Sequence, residues 1–401
     1  MPDPTDIGTH HGIGARIADI RSLRGYSLRE LGKRAHVSAS MLSRIESGDR
    51  YPSEPIIAAV ARALGVDMST LRGQPYIHTL QQDQLDQLLT PLAVALDDWD
   101  TAADDDPPPR PLPVLEREIH QVVERRAQGE FLRIAQELPA LIAEATHLAL
   151  LHDRPGHDRE RAHWVLSETC RSVYVVAHRI GFNDLARLGL SRMAVAAERS
   201  GDPREVAIER WNRAQLMADS ARHDRGVRLV RQALRDLDDD GDRSTKAVRG
   251  ALHLKAAVLT GRQGDPAGAE DWLREALDIA DQTGETSAYE VVFGPANCLI
   301  HAMAMASDQD RHGKALEQAA KVQMPPGYPA ARAGHYWVDR ARAEVWTARH
   351  EEALQSLDNA RRVAPDQTRY HPTVHETIAT LLRARGKAPD PLLKFAQWCG
   401  V

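Results

Sequence analysis

Apolar residues recur at intervals of three and four along most of the chain, which is the spacing of a helix with one buried face. Leu28, Leu31 and Ala35 form one such set, and Leu42 and Ile45 form another. Proline and glycine fall in brief breaks, such as DRPGHD, SGDP, RQGDP and MPPGYP, and no window alternates as a strand would. The pattern therefore predicts an all-α protein.

The start of the chain carries the most specific pattern. Ser27 and Glu30 form an S-x-x-E capping box, and Ser38 caps a further helix. Two short helices joined by a tight turn form a helix-turn-helix, a device for reading the DNA major groove. Five helices are predicted here, over Ile13 to Arg24, Ser27 to Ala35, Ser38 to Ser47, Ser53 to Leu64 and Asp67 to Leu71.

From Gly14 to Leu71 the chain resembles the Cro and lambda-repressor type of DNA-binding domain, through ARIADIRSLRGYS, LREL, VSASMLSRIESG, DRYPS and IIAAVARALGV. The resemblance implies a sequence-specific regulator of transcription with an internal ion pair between Arg21 and Glu46. Two positions depart from the family pattern. His36 stands in the turn where glycine is usual, and Gly32 replaces the usual alanine.

The resemblance also implies which side chains contact DNA, because the recognition helix would begin at Ser38. Arg44 is the strongest candidate, since a guanidinium group can bind guanine through two hydrogen bonds and discriminate by about 1–3 kcal/mol. A contact to phosphate alone is the alternative for Arg44. Arg29 and Arg50 resemble phosphate contacts, or else are only solvated. The predicted DNA-binding set is Arg29, Ser38, Ala39, Ser40, Ser43, Arg44 and Arg50.

An acidic, proline-rich segment separates this region from the rest of the chain. Residues 77–113 carry eight aspartates against one basic residue, and Asp97 to Pro113 favours an extended spacer. Leucines before the spacer predict a connecting helix that packs on the first domain or pairs between protomers, through Leu80, Leu85, Leu88, Leu89 and Leu92. The predicted domains are 1–76 for DNA binding, 77–113 as a connection and 114–401 as helical repeats.

The helical region after Pro113 is either one large bundle or an array of repeats, and self-similar frames favour the array. The segment from Trp337 to Pro365 closely resembles a tetratricopeptide repeat. Small residues match in five frames, because the two helices of a unit must approach closely, at Ala186, Gly226, Ala269, Ala315 and Ala353. The pattern predicts a curved solenoid whose concave side is lined by the first helix of each unit.

That concave side is the predicted ligand groove. Amide side chains there can pair with the backbone of an extended peptide, and tryptophans offer apolar contact. Ordinary packing within the solenoid is the alternative for each residue. The predicted ligand-binding set is Trp211, Asn212, Gln215, Arg262, Asn297, His301, Arg342 and Trp346, and the repeat frame adds Leu254 and His335.

The whole arrangement resembles Gram-positive peptide-responsive quorum regulators. The resemblance of the first domain to the Cro and lambda-repressor type implies a homodimer that binds two half-sites of a double-stranded operator. The resemblance to quorum regulators implies a peptide or small-molecule effector in the repeat groove. It extends to architecture alone, and it leaves open whether such a protein is a repressor or an activator.

Composition and motifs give no indication of catalysis. Gly12 and Gly14 lack the third glycine of a dinucleotide-binding motif, and His375 lacks the second histidine of a zinc-protease helix. The string from His152 to His163 fits a polar loop between helices. We therefore expect no enzyme, no metal and no cofactor. An interaction scaffold with a tethering or vestigial helix-turn-helix, and an enzyme whose site lies hidden in the repeats, are the other open classes.

Three scattered cysteines fit a reducing compartment better than a disulfide framework. The first residues have neither a basic start nor an apolar core, and no apolar run approaches the length of a membrane span. The sequence therefore predicts a cytoplasmic protein, associated with the nucleoid through DNA, that does not engage membranes.

Overall fold

A computed structural model describes residues 12–74, 82–101, 108–384 and 389–400. Within these ranges the chain is all-α, and its β pairing is limited to one isolated bridge between Thr286 and Phe293. Among the described helices, none combines the length and the apolarity required to span a bilayer.

Five short helices form the first domain. The first begins at Ile13, as predicted, and each of the other four begins one residue after its predicted start. Ser27 and Ser38 are N-caps, with hydroxyl groups that accept backbone N–H bonds, so the helices start one residue later than predicted. Their bounds are α1 (Ile13–Leu23), α2 (Leu28–Ala35), α3 (Ala39–Glu46), α4 (Glu54–Leu64) and α5 (Met68–Arg72).

Close backbone contacts explain two glycines of this domain. A Cβ at Gly14 would lie 1.9 Å from the carbonyl oxygen of Ile45, so only glycine lets α1 lie directly on α3. A Cβ at Gly32 would lie 2.5 Å from the Val37 oxygen in the turn. The departure at Gly32 is therefore a packing requirement of this turn. His36 ends α2 with φ 55, in the left-handed conformation that its place in the turn requires.

Helical hairpins continue the chain, and the stretch from His157 to Val363 is described throughout. It forms five hairpins, each with a first and a second helix. They are α9 (His157–Ile180) with α10 (Asn183–Arg199), α11 (Pro203–Asp219) with α12 (His223–Asp236), α13 (Arg243–Arg262) with α14 (Pro266–Thr283), α15 (Pro295–Asp308) with α16 (His312–Ala319), and α17 (Ala330–Trp346) with α18 (His350–Val363).

The predicted solenoid is confirmed, and its five small residues all lie buried in second helices. At Gly226 an added Cβ would lie 2.9 Å from the Leu259 side chain of the next hairpin, so the small residue sets the spacing between units. The remaining four, Ala186, Ala269, Ala315 and Ala353, are completely buried. First helices of successive hairpins also pack on one another, from α11 through α17, and together form one continuous inner face.

Flanking helices extend and close the solenoid. Helices α7 (Leu112–Gln128) and α8 (Phe131–Leu151) precede it, and α19 (Pro365–Arg369), α20 (Pro372–Ala384) and α21 (Asp390–Cys399) follow it. Helix α7 contacts α17, and α8 contacts α19, so the array curls until its two ends meet. The guanidinium group of Arg179, at the end of α9, bonds the His335 ring of α17 across this closure.

The connecting helix was predicted to pack on the first domain or to pair between protomers, but here it packs on the solenoid. Helix α6 (Gln82–Asp97) packs on α8 and α10 of the solenoid, through Leu89, Leu92 and Leu96, because these leucines complete the same core as the first hairpins. Leu80 lies outside the described residues. The next helix begins at Leu112, one residue before the predicted end of the spacer, and Leu112 is buried.

One irregular segment interrupts the repeats between Thr283 and Pro295, where no break was predicted. Tyr289, Glu290 and Val292 all have positive φ, an uncommon conformation for bulky side chains. The Phe293 ring fills the space above Gly250, where a Cβ would lie 2.0 Å from the ring. The segment is thus a plug that fills the space beside the first half of α13.

Candidate nucleic-acid interface and inner face of the solenoid

The recognition helix α3 presents one polar face to solvent. Its periodicity buries Leu42 and Ile45 completely, whereas Ser40, Ser43 and Arg44 are exposed and Ala39 is half-buried. Ser38 is exposed, but its hydroxyl group accepts the Met41 N–H at 3.2 Å and is thereby committed to capping. A short helix with such a face can enter a major groove.

An ion pair holds α3 against α1. Arg21 Nε lies 2.7 Å from Glu46 Oε1, and Arg21 Nη2 lies 2.9 Å from Glu46 Oε2, so the pair is bidentate. A third guanidinium nitrogen donates to the Tyr26 carbonyl at 2.8 Å, and the hydrogen bond to Glu46 raises the pKa of Arg21. The structure therefore contains the ion pair that the family resemblance implies, and it fixes the angle of α3.

The two flanking arginines have different surroundings. Arg29 lies exposed in the first turn of α2, beside the capping box of Ser27 and Glu30. Arg50 is half-buried, and its guanidinium group pairs with the Asp310 carboxylate of the solenoid at 3.3 Å. A phosphate contact through Arg50 therefore requires that this pair opens.

The first domain rests on the solenoid through several polar contacts. Arg62 donates to the Ala221 carbonyl at 3.0 Å, and Ala221 is also part of the apolar core of the first domain. The Tyr51 ring lies 6.0 Å from the Trp346 ring. Three further contacts join the two parts, namely Asn183 to Ser69 at 3.1 Å, Arg187 to Asp67 at 3.0 Å and Arg16 to Glu376 at 3.3 Å.

One end of the inner face meets the first domain through a charged cluster. Asp308 of α15 accepts from Arg262 of α13 at 2.9 Å and from Arg342 of α17 at 3.0 Å, so one carboxylate links three first helices. Burial alone would raise the pKa of Glu54 in α4, but the guanidinium groups of Arg72, Arg262 and Arg342 together lower it to about 2. The predicted groove residues Arg262 and Arg342 thus act electrostatically on the first domain.

Further along the inner face, a buried lysine connects two hairpins. Lys255 Nζ donates to Gln215 at 2.6 Å and lies 4.4 Å from the centre of the Trp211 ring, and the indole N–H of Trp211 donates to the Ala251 carbonyl at 3.2 Å. Burial lowers the pKa of Lys255 to about 7, although Asp219 partly opposes this effect. Lys255 therefore changes its charge near neutral pH.

The remaining predicted groove residues occupy mixed environments. Asn212 is 2% exposed, and its amide nitrogen has no hydrogen-bond partner among the described residues. Asn297 accepts from Arg332 and donates to the Val292 carbonyl. His301 is half-buried, with a pKa far below its usual value because of burial and neighbouring cations. Trp346, at the rim, stacks near His312 with ring centres 6.0 Å apart.

Leu254 is a correction to the predicted lining. It is 1% exposed and belongs to the apolar core, because it lies on the face of α13 that packs against neighbouring helices. Conversely, the sequence reasoning missed Arg179, Lys255 and Arg332, three cations that reach the inner face from first helices. The repeat frame could have identified Lys255, because it lies one helical turn after Ala251 in α13. That position faces Gln215 of the preceding unit.

A buried carboxyl group near the start of α11 has a strongly displaced pKa. Glu205 is 1% exposed, and the Ser167 hydroxyl group donates to it at 3.1 Å. Burial, reinforced by the nearby charge of Glu168, raises the pKa of Glu205 to about 8. In the unfolded chain the carboxyl ionises near 4.5, so the folded protein binds more protons between these values and loses stability as pH rises.

The Glu205→Gln variant should therefore have a pH-dependent advantage. Its melting temperature should equal that of the original chain below pH 4.5, rise above it through the window, and reach a constant difference beyond about pH 8. Thermal circular dichroism across this range measures the effect. Glu317→Gln, at an exposed position of α16, is the matched control and should show no such trend. A difference independent of pH would contradict the assignment.

The polar string from His152 to His163 spans the turn between α8 and α9 and the start of α9. Within the described part of the chain, no group of three or more His, Cys, Asp or Glu side chains has the geometry to hold a metal ion. The three cysteines, Cys170, Cys298 and Cys399, are each buried as free thiols, and burial raises the pKa of each to about 12.

Comparison with known proteins agrees with the geometry of the first domain. Residues 13–72 match the family described as helix-turn-helix domain, whereas no curated protein matches the sequence. One similar solved structure is BtubC from P. vanneervenii, with 15% identity, coverage of 64% of this chain and 94% of that chain, and a TM-score of 0.36. Another is Bacillus thuringiensis PlcR in complex with the peptide PapR7 and DNA, with 17% identity, coverage of 68% and 95%, and a TM-score of 0.28.

The fold and the family match together place the protein among all-α proteins that join a helix-turn-helix domain to a helical solenoid. The chain carries a helix-turn-helix domain at its N-terminal end, joined to a solenoid of helical hairpins. At TM-scores this low, the solved structures carry neither a ligand nor a partner over to this chain.

Proposed function

We propose that the protein is a sequence-specific DNA-binding regulator of transcription, with a first domain of the Cro and lambda-repressor type. The observation that carries this proposal is the exposed polar face of α3, with Ser40, Ser43 and Arg44 directed outward from a helix held by the Arg21–Glu46 pair. Exposed hydroxyl and guanidinium groups on one face of a rigidly held helix suit base edges. Arg29 and Arg50 contact phosphates beside them.

The solenoid is proposed as the sensing part of this regulator. Its inner face holds buried polar groups that suit a peptide or a polar small molecule. They include the amine of Lys255 and the amide nitrogen of Asn212, which has no hydrogen-bond partner among the described residues. Arg262 and Arg342 connect that face to the first domain electrostatically. An effector on the inner face would therefore change how the first domain is held, and with it the geometry of DNA binding.

The regulator would be cytoplasmic and associated with the nucleoid through its operator. It would act as a homodimer, because a single α3 reads only a few base pairs. Two copies related by two-fold symmetry would place their recognition helices one helical turn apart, about 34 Å. The domain division proposed with this function is 1–76 for DNA binding, 77–113 as the connection and 114–401 as the sensor.

Selection from a pool of random DNA duplexes tests the proposal with the full chain. We expect an enriched motif with two inverted arms whose centres lie about 10 base pairs apart, and native mass spectrometry of the complex should give two chains per duplex. Enrichment of no motif at low ionic strength would overturn the regulator assignment. In that case the interaction-scaffold interpretation would take its place.

A further inference from the structure

A cavity of about 260 Å³ lies between α6, α8, α9 and α10, apart from both α3 and the inner face. Most of its wall is apolar, with Leu96, Trp99, Ile142, Leu166, Cys170 and Ala196 among the lining side chains. Its mouth is marked by large apolar side chains that solvent reaches, since Trp99 and Val195 are each 46% exposed and Leu150 is 39% exposed. An apolar path therefore leads from solvent into the cavity.

Two side chains in this wall have buried nitrogen atoms without a hydrogen-bond partner in the part of the chain that the structure describes. His163 is only 3% exposed, and neither of its ring nitrogens has a hydrogen-bond partner among the described residues. The Nε of Arg192 is likewise buried without a partner, while its guanidinium group lies 4.5 Å from the centre of the Trp99 ring. A buried polar group without a partner costs about 1–3 kcal/mol, so buried groups of this kind normally have one.

The protonation state of His163 determines what it can bind. Burial, together with the charges of Arg199 and Arg159, lowers the pKa of His163 to about 4. At neutral pH the ring is therefore uncharged, with one N–H donor and one acceptor nitrogen. The Nε–H of Arg192 adds a second donor in the same wall.

We propose that this cavity binds a small molecule with an apolar body and a carbonyl or carboxylate oxygen as its head group. The apolar body would lie against Leu96, Ile142 and Leu166, and the oxygen would accept hydrogen bonds from His163 and Arg192. The volume lies just below the usual range for drug-sized ligands, about 300–1,000 Å³, which selects a compact ligand. The site is independent of the effector groove proposed above.

Water alone is a poor occupant of this cavity. A water molecule occupies about 30 Å³ and requires two to four polar partners to be held. The wall also includes Thr146 and the charged side chains of Asp100, Asp153 and Arg199, and these three charged residues are exposed to solvent. Waters can therefore be held beside the polar groups, whereas the apolar part of the wall offers them no partners. An apolar body fills that remainder and gains from leaving water.

Calorimetric titration of the full chain with sodium decanoate tests the proposal, and sodium acetate supplies the head group alone. We expect decanoate to bind at one site per chain and acetate to produce no saturable heat. His163→Phe keeps the ring but removes both nitrogens, and should weaken decanoate binding roughly five- to tenfold. His157→Phe, at the exposed start of α9, is the matched control and should bind as the original chain does.

Two further variants address the cavity and its mouth. Ala149→Phe places a ring in the cavity and should abolish binding, with circular dichroism used to verify its fold. Val195→Glu places a carboxylate at the exposed mouth and should weaken decanoate binding by repulsion, whereas Val195→Gln should not. Because Val195 is half-exposed, both of these variants keep the fold. Absence of decanoate binding in the original chain, or equal binding by His163→Phe and both Val195 variants, would overturn the proposal.

Discussion

Replacement of Arg44 by alanine should weaken binding of the selected operator roughly 5- to 150-fold, which corresponds to the 1–3 kcal/mol of a bidentate contact to guanine. The side chain is exposed on α3, and the helix is fixed by its serine cap and by Arg21, so truncation removes a contact without disturbing the fold. Fluorescence anisotropy with the operator and with a scrambled duplex, at one salt concentration, measures the effect. Only operator affinity should fall, while affinity for the scrambled duplex stays nearly constant.

The control for this experiment is Arg228→Ala, which removes the same charge from α12 of the solenoid, where the side chain is 64% exposed. That variant should bind both duplexes as the original chain does. A uniform loss for Arg44→Ala on both duplexes, with a salt slope reduced by about one, would instead assign Arg44 to a phosphate.

Replacement of Arg21 by alanine should destabilise the first domain by about 3 kcal/mol. The change leaves the Glu46 carboxylate only 11% exposed without its cation, and it frees the Tyr26 carbonyl as well. Urea denaturation followed by hydrogen exchange resolves the two parts of the chain. Amides of residues 13–72 should lose protection at lower urea, and those of the solenoid hairpins should change little.

A double-mutant cycle with Glu46→Ala separates the ion pair from the general effect of truncation. The double variant should lose clearly less stability than the sum of the two single variants. The exposed pair of Arg228 and Asp224, at 3.0 Å on α12, serves as the comparison and should give a coupling of only about 0.3–0.5 kcal/mol. Additive losses for Arg21 and Glu46 would mean that the pair does not hold α3.

Sequence reasoning succeeded wherever a few neighbouring residues decide the structure. The hydroxyl groups of Ser27 and Ser38 end the preceding turns and start α2 and α3, because each satisfies an N–H group that the helix itself leaves unpaired. The solenoid was predicted for a related reason. Small residues such as Ala269 and Ala353 are needed wherever two helices touch, and they therefore repeat with the units.

Contacts between distant parts of the chain left no comparable pattern in the sequence. The leucines of α6 predicted an amphipathic helix but not its partner, since α8 offers a surface that only the folded solenoid assembles. The plug at Phe293 follows from the space above Gly250, which depends on the packing of two separate segments. The bond from Arg179 to His335 likewise forms only when the array closes.

The cations of the inner face illustrate the same limit for the site. A lysine in a helical sequence does not by itself indicate a binding groove. The position of Lys255 on the inner face follows only from its contacts with Gln215 and Trp211, which lie in the preceding hairpin. Leu254, its neighbour in the chain, points into the core instead. A shift of one residue along a helix rotates a side chain by about 100°, so a frame known only approximately cannot separate lining from core.

The pairing of Arg50 with Asp310 has a consequence for the ionic-strength dependence of operator binding. A phosphate that binds Arg50 must displace the Asp310 carboxylate, which stays beside the duplex as a fixed negative charge. Arg50 and Asp310 together therefore bring no net positive charge to the DNA, and this contact would release few of the cations condensed on it. Exchanging one fixed negative partner for another would therefore contribute little to the logarithmic salt slope, which would fall short of the number of arginines that touch the duplex.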